Sequence, residues 1–186
     1  MKFSPVLIGV IVVVVLALLW GVSTYNSFIA KSEGITTAWA QVESQYQRRL
    51  DLIPNLVNSV KGIMNQEQEV FTAIADARTK YAGASTIADK ATAATEVESA
   101  FARLLVIMEN YPQLRSVESV NALMAELSGT ENRIAVERMR YNEVVRDYNV
   151  MVKVIPSSMI ASWFGFTPAT MFEAESGAEN APEVSL

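Results

Sequence analysis

The feature that most constrains this chain is an apolar run near its N-terminus. Residues 6–22 are all apolar or glycine, and no charged side chain occurs between Phe3 and Ala30. As a helix rising about 1.5 Å per residue, the run would cover about 25 Å, close to the hydrocarbon thickness of a bilayer. We therefore predict an uncleaved, single-pass transmembrane helix over residues 6–24, after a short segment over residues 1–5.

Two other interpretations of this run stay open. One is a buried core helix, although no other part of the chain is as apolar. The other is a cleaved signal peptide, because Gly21-Val22-Ser23 offers small residues at the cleavage spacing. Trp20 and Tyr25 suit a membrane interface and favour the anchor. The lysines that flank the run favour a periplasmic location for the rest of the chain over a cytoplasmic one.

The composition limits the chemistry that this chain can perform. Its 186 residues contain no cysteine and no histidine, which excludes disulfides, thiol chemistry and the commonest metal ligand and general base. No glycine-rich phosphate loop and no close pair of carboxylates is evident. We therefore expect no enzyme, no metal and no cofactor.

The charge balance also limits the partners. The net charge is −5, and the last segment, residues 173–186, contributes four glutamates and no basic residue. Without it the chain is close to neutral, so it offers no basic surface for nucleic acid. We expect the tail, residues 173–186, to be disordered.

Apolar residues after the anchor recur at helical spacing. They form a heptad-like seam over residues 25–50, at Phe28, Ile35, Trp39, Val42, Tyr46 and Leu50. Pro54 interrupts the pattern that follows. A proline inside a helix costs about 3 kcal/mol, so we predict that one helix ends near Leu50 and a second runs from about Pro54 to Tyr81. A proline kink in a single helix is the alternative.

Two more helices are predicted downstream. The third runs from about Ala88 to Glu109, and the fourth from about Gln113 to Ile155. One apolar stripe keeps its phase through Gly129, so we predict no break at that glycine. The fold class is therefore all-α: an N-terminal transmembrane helix followed by an antiparallel four-helix up-and-down bundle with long helices, over residues 25–156.

The apolar segment that follows, residues 157–172, has two interpretations. It can fold onto the bundle as a cap, or it can contact a partner or the membrane. Trp163 is the residue that we single out in it.

Seven residues are candidates for structural or interaction roles. Arg48 and Arg49 could compensate a helix end or bind an anionic lipid or partner. Asp51 and Pro54 suit the start of a helix. Asn142 and Asn149 each follow an inward tyrosine and could fix the register of the bundle or bind a polar ligand. Trp163 completes the set.

These residues also carry a resemblance to a known family. The decamer over residues 48–57 resembles the signature of the LemA family of bacterial membrane proteins. Further matching motifs are Ala38-Trp39, Val60-Lys61-Gly62, Ala77-Arg78, Glu109-Asn110-Tyr111-Pro112, Glu126-Leu127, residues 130–135, Arg140-Tyr141-Asn142 and Tyr148-Asn149. The resemblance covers about residues 25–172. It implies the same up-and-down bundle, and it implies no biochemical activity.

The expected function is that of a non-enzymatic, membrane-anchored protein of the bacterial envelope. We expect a homo-oligomeric scaffold or assembly factor at the inner membrane, whose partners are the lipid bilayer, further copies of the chain and other envelope proteins. A bundle that senses an extracytoplasmic ligand or handles lipid is the alternative.

Overall fold

The fold is all-α. The computed structural model describes residues 4–64 and 66–172, so the tail predicted over residues 173–186 lies outside the described residues, as does part of the segment over residues 1–5. Within that range the helices are α1 (Pro5–Lys61), α2 (Gln68–Gly83), α3 (Ile87–Met108), α4 (Glu118–Lys153) and α5 (Ser157–Phe164), with a 3-10 turn at Pro112–Ser116. The predicted antiparallel helical fold with long helices is confirmed.

The first helix contradicts the hairpin predicted at residues 50–54. α1 continues through Pro54 to Lys61, and the chain turns only afterwards. Ile53, Leu56 and Val60 are completely buried, and burying such a side chain contributes about 1.5–3 kcal/mol. Together, the burial of these three side chains outweighs the roughly 3 kcal/mol that an interior proline costs.

The apolar run at the start of α1 is exposed. α1 contains one stretch that is long and apolar enough to cross a membrane, and none of that stretch is buried. The exposed side chains include Val6, Val13 and Leu18. The interpretation as a buried core helix is therefore wrong.

The later helices follow the sequence pattern closely. α3 begins one residue before the predicted start, where the side chain of Thr86 caps it by accepting a 3.0 Å hydrogen bond from the backbone N–H of Asp89. α4 passes through Gly129 without a break, as predicted from the phase of its apolar stripe. It begins later than predicted, because residues 112–116 form the 3-10 turn.

The contacts divide the chain into two compact units. The first comprises Met1–Ala38 with Arg140–Leu186, and the second comprises Trp39–Met139. In the second unit, the α2–α3 hairpin is antiparallel, and Nζ of Lys80 lies 2.6 Å from a carboxylate oxygen of Glu96. In the same unit, Arg48 of α1 pairs with Glu126 of α4.

The first unit pairs the start of α1 with the end of α4. The ring of Phe28 meets that of Tyr148 edge-on at 6.1 Å, and a Cβ at Gly34 would touch Val144 at 3.7 Å. Because residue numbers rise on one helix as they fall on the other, α1 and α4 are antiparallel here.

Candidate functional site

A polar cluster in the second unit is centred on Glu98 of α3. Its carboxylate accepts a 2.9 Å hydrogen bond from the hydroxyl of Tyr46 on α1. The guanidinium groups of Arg138 and Arg49 lie 3.7 and 3.9 Å from the same carboxylate. Three helices therefore converge on one carboxylate.

Arg49 is the buried cation of this cluster. Its side chain is only 5% exposed, and its second terminal nitrogen lies 4.0 Å from Glu131. Its guanidinium carbon also lies 5.2 Å from the centre of the Phe101 ring, a cation–π distance. Its Nε atom has no hydrogen-bond partner among the described residues. Two carboxylates and a ring face thus replace the water that the cation loses.

The burial of the cluster also acts on Tyr46. Desolvation first, and the negative charge of Glu98 second, raise the pKa of the Tyr46 hydroxyl well above its usual range. Tyr81, whose ring centre lies 5.8 Å from that of Tyr46, has its pKa raised to about 12, by burial first and by Glu43 second. Both phenols stay protonated at physiological pH and carry no charge, and the Tyr46 hydroxyl donates its proton to Glu98.

A second polar arrangement lies in the first unit, where α4 holds the segment after α5. The side-chain amide of Asn149 donates to the carbonyl of Ala169 at 2.8 Å and accepts from its N–H at 2.7 Å. Asn142 does the same with Phe172, at 3.0 and 2.8 Å. The hydroxyl of Tyr141 donates to the carbonyl of Thr170 at 2.9 Å. We call these three side chains the backbone clamp.

The spacing of the backbone clamp follows from elementary geometry. Asn142 and Asn149 are seven residues apart, which is nearly two helical turns, so they share one face and lie about 10.5 Å apart along α4. Ala169 and Phe172 are three residues apart, or about 10 Å in an extended chain that rises about 3.3 Å per residue. The two repeats match, so both amides can engage one extended segment at once.

Aromatic rings complete the docking of this segment. Phe166 stacks on Phe28 of α1 with ring centres 4.7 Å apart, and Phe172 meets Tyr141 edge-on at 5.4 Å. Tyr25 contacts Phe164 at 4.7 Å. Phe164, Phe166 and Phe172 thus contact aromatic rings of α1 and α4 within their unit.

The structure separates the two arginines that the sequence groups together. Arg48 is half-exposed and pairs with Glu126 at 2.8 Å, whereas Arg49 is buried. No helix ends beside them, since α1 continues to Lys61, so compensation of a helix end is the wrong explanation for both. Burial also removes Arg49 from any surface that could bind an anionic lipid.

Asp51 and Pro54 are likewise not at the start of a helix. Both lie inside α1. Asp51 is exposed and accepts a 3.1 Å hydrogen bond from the side chain of Gln47, one turn earlier. The prediction that they begin a helix is wrong, because the burial of apolar side chains around them keeps α1 continuous through Pro54.

The remaining candidates lie in the first unit. Asn142 and Asn149 are half-buried at the edge of the α4 stripe, and they bind backbone of this same chain. Trp163 is 77% exposed on α5. The structure therefore brings Asn142 and Asn149 together in the backbone clamp, and it places Arg49 in the Glu98 cluster.

Sequence reasoning missed Glu98, Tyr46 and Arg138 as a polar group. Tyr46 was predicted on the inward seam, but its hydroxyl requires a polar partner when buried, and that requirement was the available signal. Glu98 follows the buried Val97 directly, so it lies beside the inward face of α3. No group of three side chains that could hold a metal occurs within residues 4–64 and 66–172.

Over residues 4–64 and 66–172, these features define a class of protein: an all-helical chain with one candidate membrane span and with polar networks around Glu98 and in the backbone clamp. Comparison with known families is more specific. Residues 38–186 match the model of the LemA family, so the chain belongs to the LemA family.

Curated relatives are more distant. The chain is 26% identical over 175 residues to magnetosome proteins MamQ 2 and MamQ 1 of Paramagnetospirillum magneticum. It is 26% identical over 174 residues to magnetosome protein MamQ of Magnetospirillum gryphiswaldense. Each match covers 80% of this chain and 64% of the relative, so the chain spans less than two thirds of the length of these relatives.

Proposed function

We propose that this protein is a non-enzymatic scaffold of the bacterial envelope, anchored by the start of α1 and assembled from several copies of the chain. The observation that carries the proposal is the exposed apolar stretch of α1, none of which is buried. An exposed run of this length is stable only in lipid or against other protein. The bilayer is the environment that its length fits.

The rest of the chain supports a role in binding other helices. With neither histidine nor cysteine, it lacks the residues that most often supply a general base or a thiol nucleophile. Part-buried ionisable groups of the second unit pair with each other: Glu98 accepts a hydrogen bond from Tyr46 and faces Arg138. Buried polar groups of this kind fix the arrangement of helices.

Exposed apolar residues on α4 supply a surface for self-association. Val136 and Met139 are 41% and 57% exposed, and they lie three residues apart, so they share one face of the helix. Exposed apolar side chains on one face of a long helix are typical of helix–helix contacts between chains. We assign the contact between copies to this face.

Self-association is tested by measuring the mass of the full chain in mild detergent with light scattering. We expect a multiple of the 20.4 kDa chain mass, and a lower mass for Met139→Glu. Val106→Glu is the matched control, because Val106 is exposed on α3, and it should leave the mass unchanged. A monomeric wild-type protein would contradict the proposal.

The side of the membrane can be tested directly because the chain has no native cysteine. Asn132 is exposed on α4, so Asn132→Cys introduces one reactive thiol. A membrane-impermeant maleimide should label this thiol in intact bacteria, as expected for a periplasmic location. Labelling only after lysis would assign the second unit to the cytoplasm and contradict that part of the proposal.

A further inference from the structure

α5 carries an exposed apolar surface that its own unit leaves uncovered. Met159, Trp163 and Phe164 are 55%, 77% and 58% exposed, and Val154 and Ile155, which precede Pro156 and the helix, are 51% and 79% exposed. Soluble proteins rarely expose so many large apolar side chains in one short segment. We call these five residues the α5 patch.

The opposite face of α5 fixes its position along α1. Ile160 and Ala161 are buried, and a Cβ at Gly21 would meet Cδ1 of Ile160 at 3.9 Å. Phe164 contacts Tyr25. Gly21 belongs to the last turns of the exposed apolar run of α1, so α5 packs at the point where that run ends.

The chemistry of this segment suits the boundary between lipid headgroups and acyl chains. No charged residue occurs from Val154 to Phe172, so entry of the α5 patch into the boundary desolvates no charge. Tryptophan favours this depth because its ring is apolar and its N–H remains near water. Lys153, the last charged residue before the patch, is exposed and can reach lipid phosphates.

We propose that the α5 patch inserts into the headgroup–acyl boundary of the bilayer that holds the start of α1. α5 is then an interfacial helix that gives the chain a second, shallow contact with the membrane. The lipid bilayer is chosen over a protein partner because α5 packs directly against the end of the candidate membrane span. The inference rests on the membrane anchoring proposed above.

The experiment uses tryptophan quenching by brominated lipids. The chain has three tryptophans: Trp20 in the span, Trp163 in the α5 patch, and Trp39, which is 5% exposed in the second unit. The full chain is reconstituted in vesicles of phosphatidylcholine and phosphatidylglycerol, with bromine near the headgroup or deep in the acyl chains. Trp20→Phe leaves Trp163 as the reporter, Trp163→Phe leaves Trp20, and the double variant gives the Trp39 background.

The expected result is loss of Trp163 emission above that background, with more loss from shallow than from deep bromine. Quenching of Trp20 without quenching of Trp163 would overturn the interfacial position of α5 and leave the anchor intact. Absence of quenching for both would overturn the anchor as well. A blue-shifted Trp163 that no brominated lipid quenches would place the α5 patch against protein, such as a second copy, and would also overturn the inference.

Discussion

The side chain of Asn149 holds the backbone of Ala169 through two hydrogen bonds, one donated at 2.8 Å and one accepted at 2.7 Å. Both bonds reach main-chain atoms, so they do not depend on the side chain at position 169. With Asn142 and Tyr141, this contact fixes a segment that has no helical hydrogen bonds of its own.

Asn149→Ala should loosen the docked segment without unfolding the helices. Loss of two hydrogen bonds at a half-buried site costs about 1–3 kcal/mol, so the amide of Ala169 should exchange with solvent about 5 to 150 times faster. Hydrogen exchange read by mass spectrometry on the peptide that contains Ala169 measures this. Asn132→Ala, an exposed change on the same helix, should leave the rate unchanged. Equal rates in both variants would contradict the role of the clamp.

Two of the buried tyrosines, Tyr46 and Tyr81, predict a loss of stability at high pH. Their pKa values are raised in the folded state, so the folded chain keeps protons that the unfolded chain releases above about pH 10. Stability is therefore complete below pH 10 and falls as pH rises further, by up to about 1.4 kcal/mol per pH unit for each tyrosine. Urea titrations in mild detergent at pH 9 to 11 should show the decline.

Phenylalanine variants separate the contributions of these tyrosines. At pH 7, Tyr46→Phe should cost about 1–2 kcal/mol, because Glu98 loses its donor. Tyr81→Phe should cost less, since the Tyr81 hydroxyl has no hydrogen-bond partner among the described residues. In each variant, the free energy of unfolding should fall less steeply with pH above pH 10 than in the wild-type protein. If the free energy of unfolding falls as steeply in both variants as in the wild-type protein, groups other than Tyr46 and Tyr81 cause the loss of stability.

Arg49 and its neighbour Arg48 should differ strongly in their effect on stability. Arg49→Ala removes a buried cation and the contact with Phe101, and should cost about 3–5 kcal/mol, as measured when one partner of a buried ion pair is removed. Arg48→Ala breaks only a half-exposed pair with Glu126 and should cost less than about 1 kcal/mol. Urea unfolding followed by circular dichroism compares the two. Similar losses would contradict the burial of Arg49.

Alanine substitutions at two glycines should change stability in opposite directions. Gly129 lies inside α4, and a Cβ there would meet nothing within 4 Å, so Gly129→Ala should stabilise the protein by about 0.5–1 kcal/mol. Gly165 ends α5 with a φ of 75°, which favours glycine, so Gly165→Ala should destabilise its segment by about 1–2 kcal/mol. Thermal unfolding measures the effect of Gly129→Ala on the whole protein, and hydrogen exchange of the Phe166 amide measures the local effect of Gly165→Ala. Stabilisation by both would contradict the assigned backbone at Gly165.

Pro54 tests whether α1 is continuous. In a continuous helix, Pro54→Ala restores one backbone hydrogen bond, so the variant should be more stable, by up to about 3 kcal/mol. The same change in Pro112, at the start of the 3-10 turn, should have little effect, because a first-turn proline loses no helical bond. Destabilisation by Pro54→Ala would instead support the hairpin that the sequence suggested.

The sequence predicted those features that depend on periodicity. The stripe through Val120, Leu127 and Ile134 identified α4 as one helix, because burial repeats with the helical period whatever the local propensity. The seam at Phe28, Val42 and Tyr46 located the inward face of α1 for the same reason; all six of these residues are buried.

The sequence could not predict features that depend on competing energies or on distant partners. The position of the first turn required a comparison between the cost of Pro54 and the burial of Ile53, Leu56 and Val60. Arg48 and Arg49 are identical residue types, and only the neighbouring helices decide which one is buried. The partners of Asn142 and Asn149 lie 20 to 30 residues away, in a segment without helical periodicity.

The matched spacing of the backbone clamp has a consequence for how this chain can vary. The amides bind only peptide groups, so they place no demand on the side chain of Ala169, although Phe172 also packs against Tyr141; the number of residues between the two bound peptide groups is fixed. Inserting one residue between Asn142 and Asn149 would rotate one amide by about 100° around α4 and release its half of the segment. Pro168, which has no N–H, lies directly before the first donor of the segment, whereas proline is forbidden at 169 and 172, whose N–H groups donate to Asn149 and Asn142. The backbone clamp therefore constrains the length of the docked segment more strongly than its side chains.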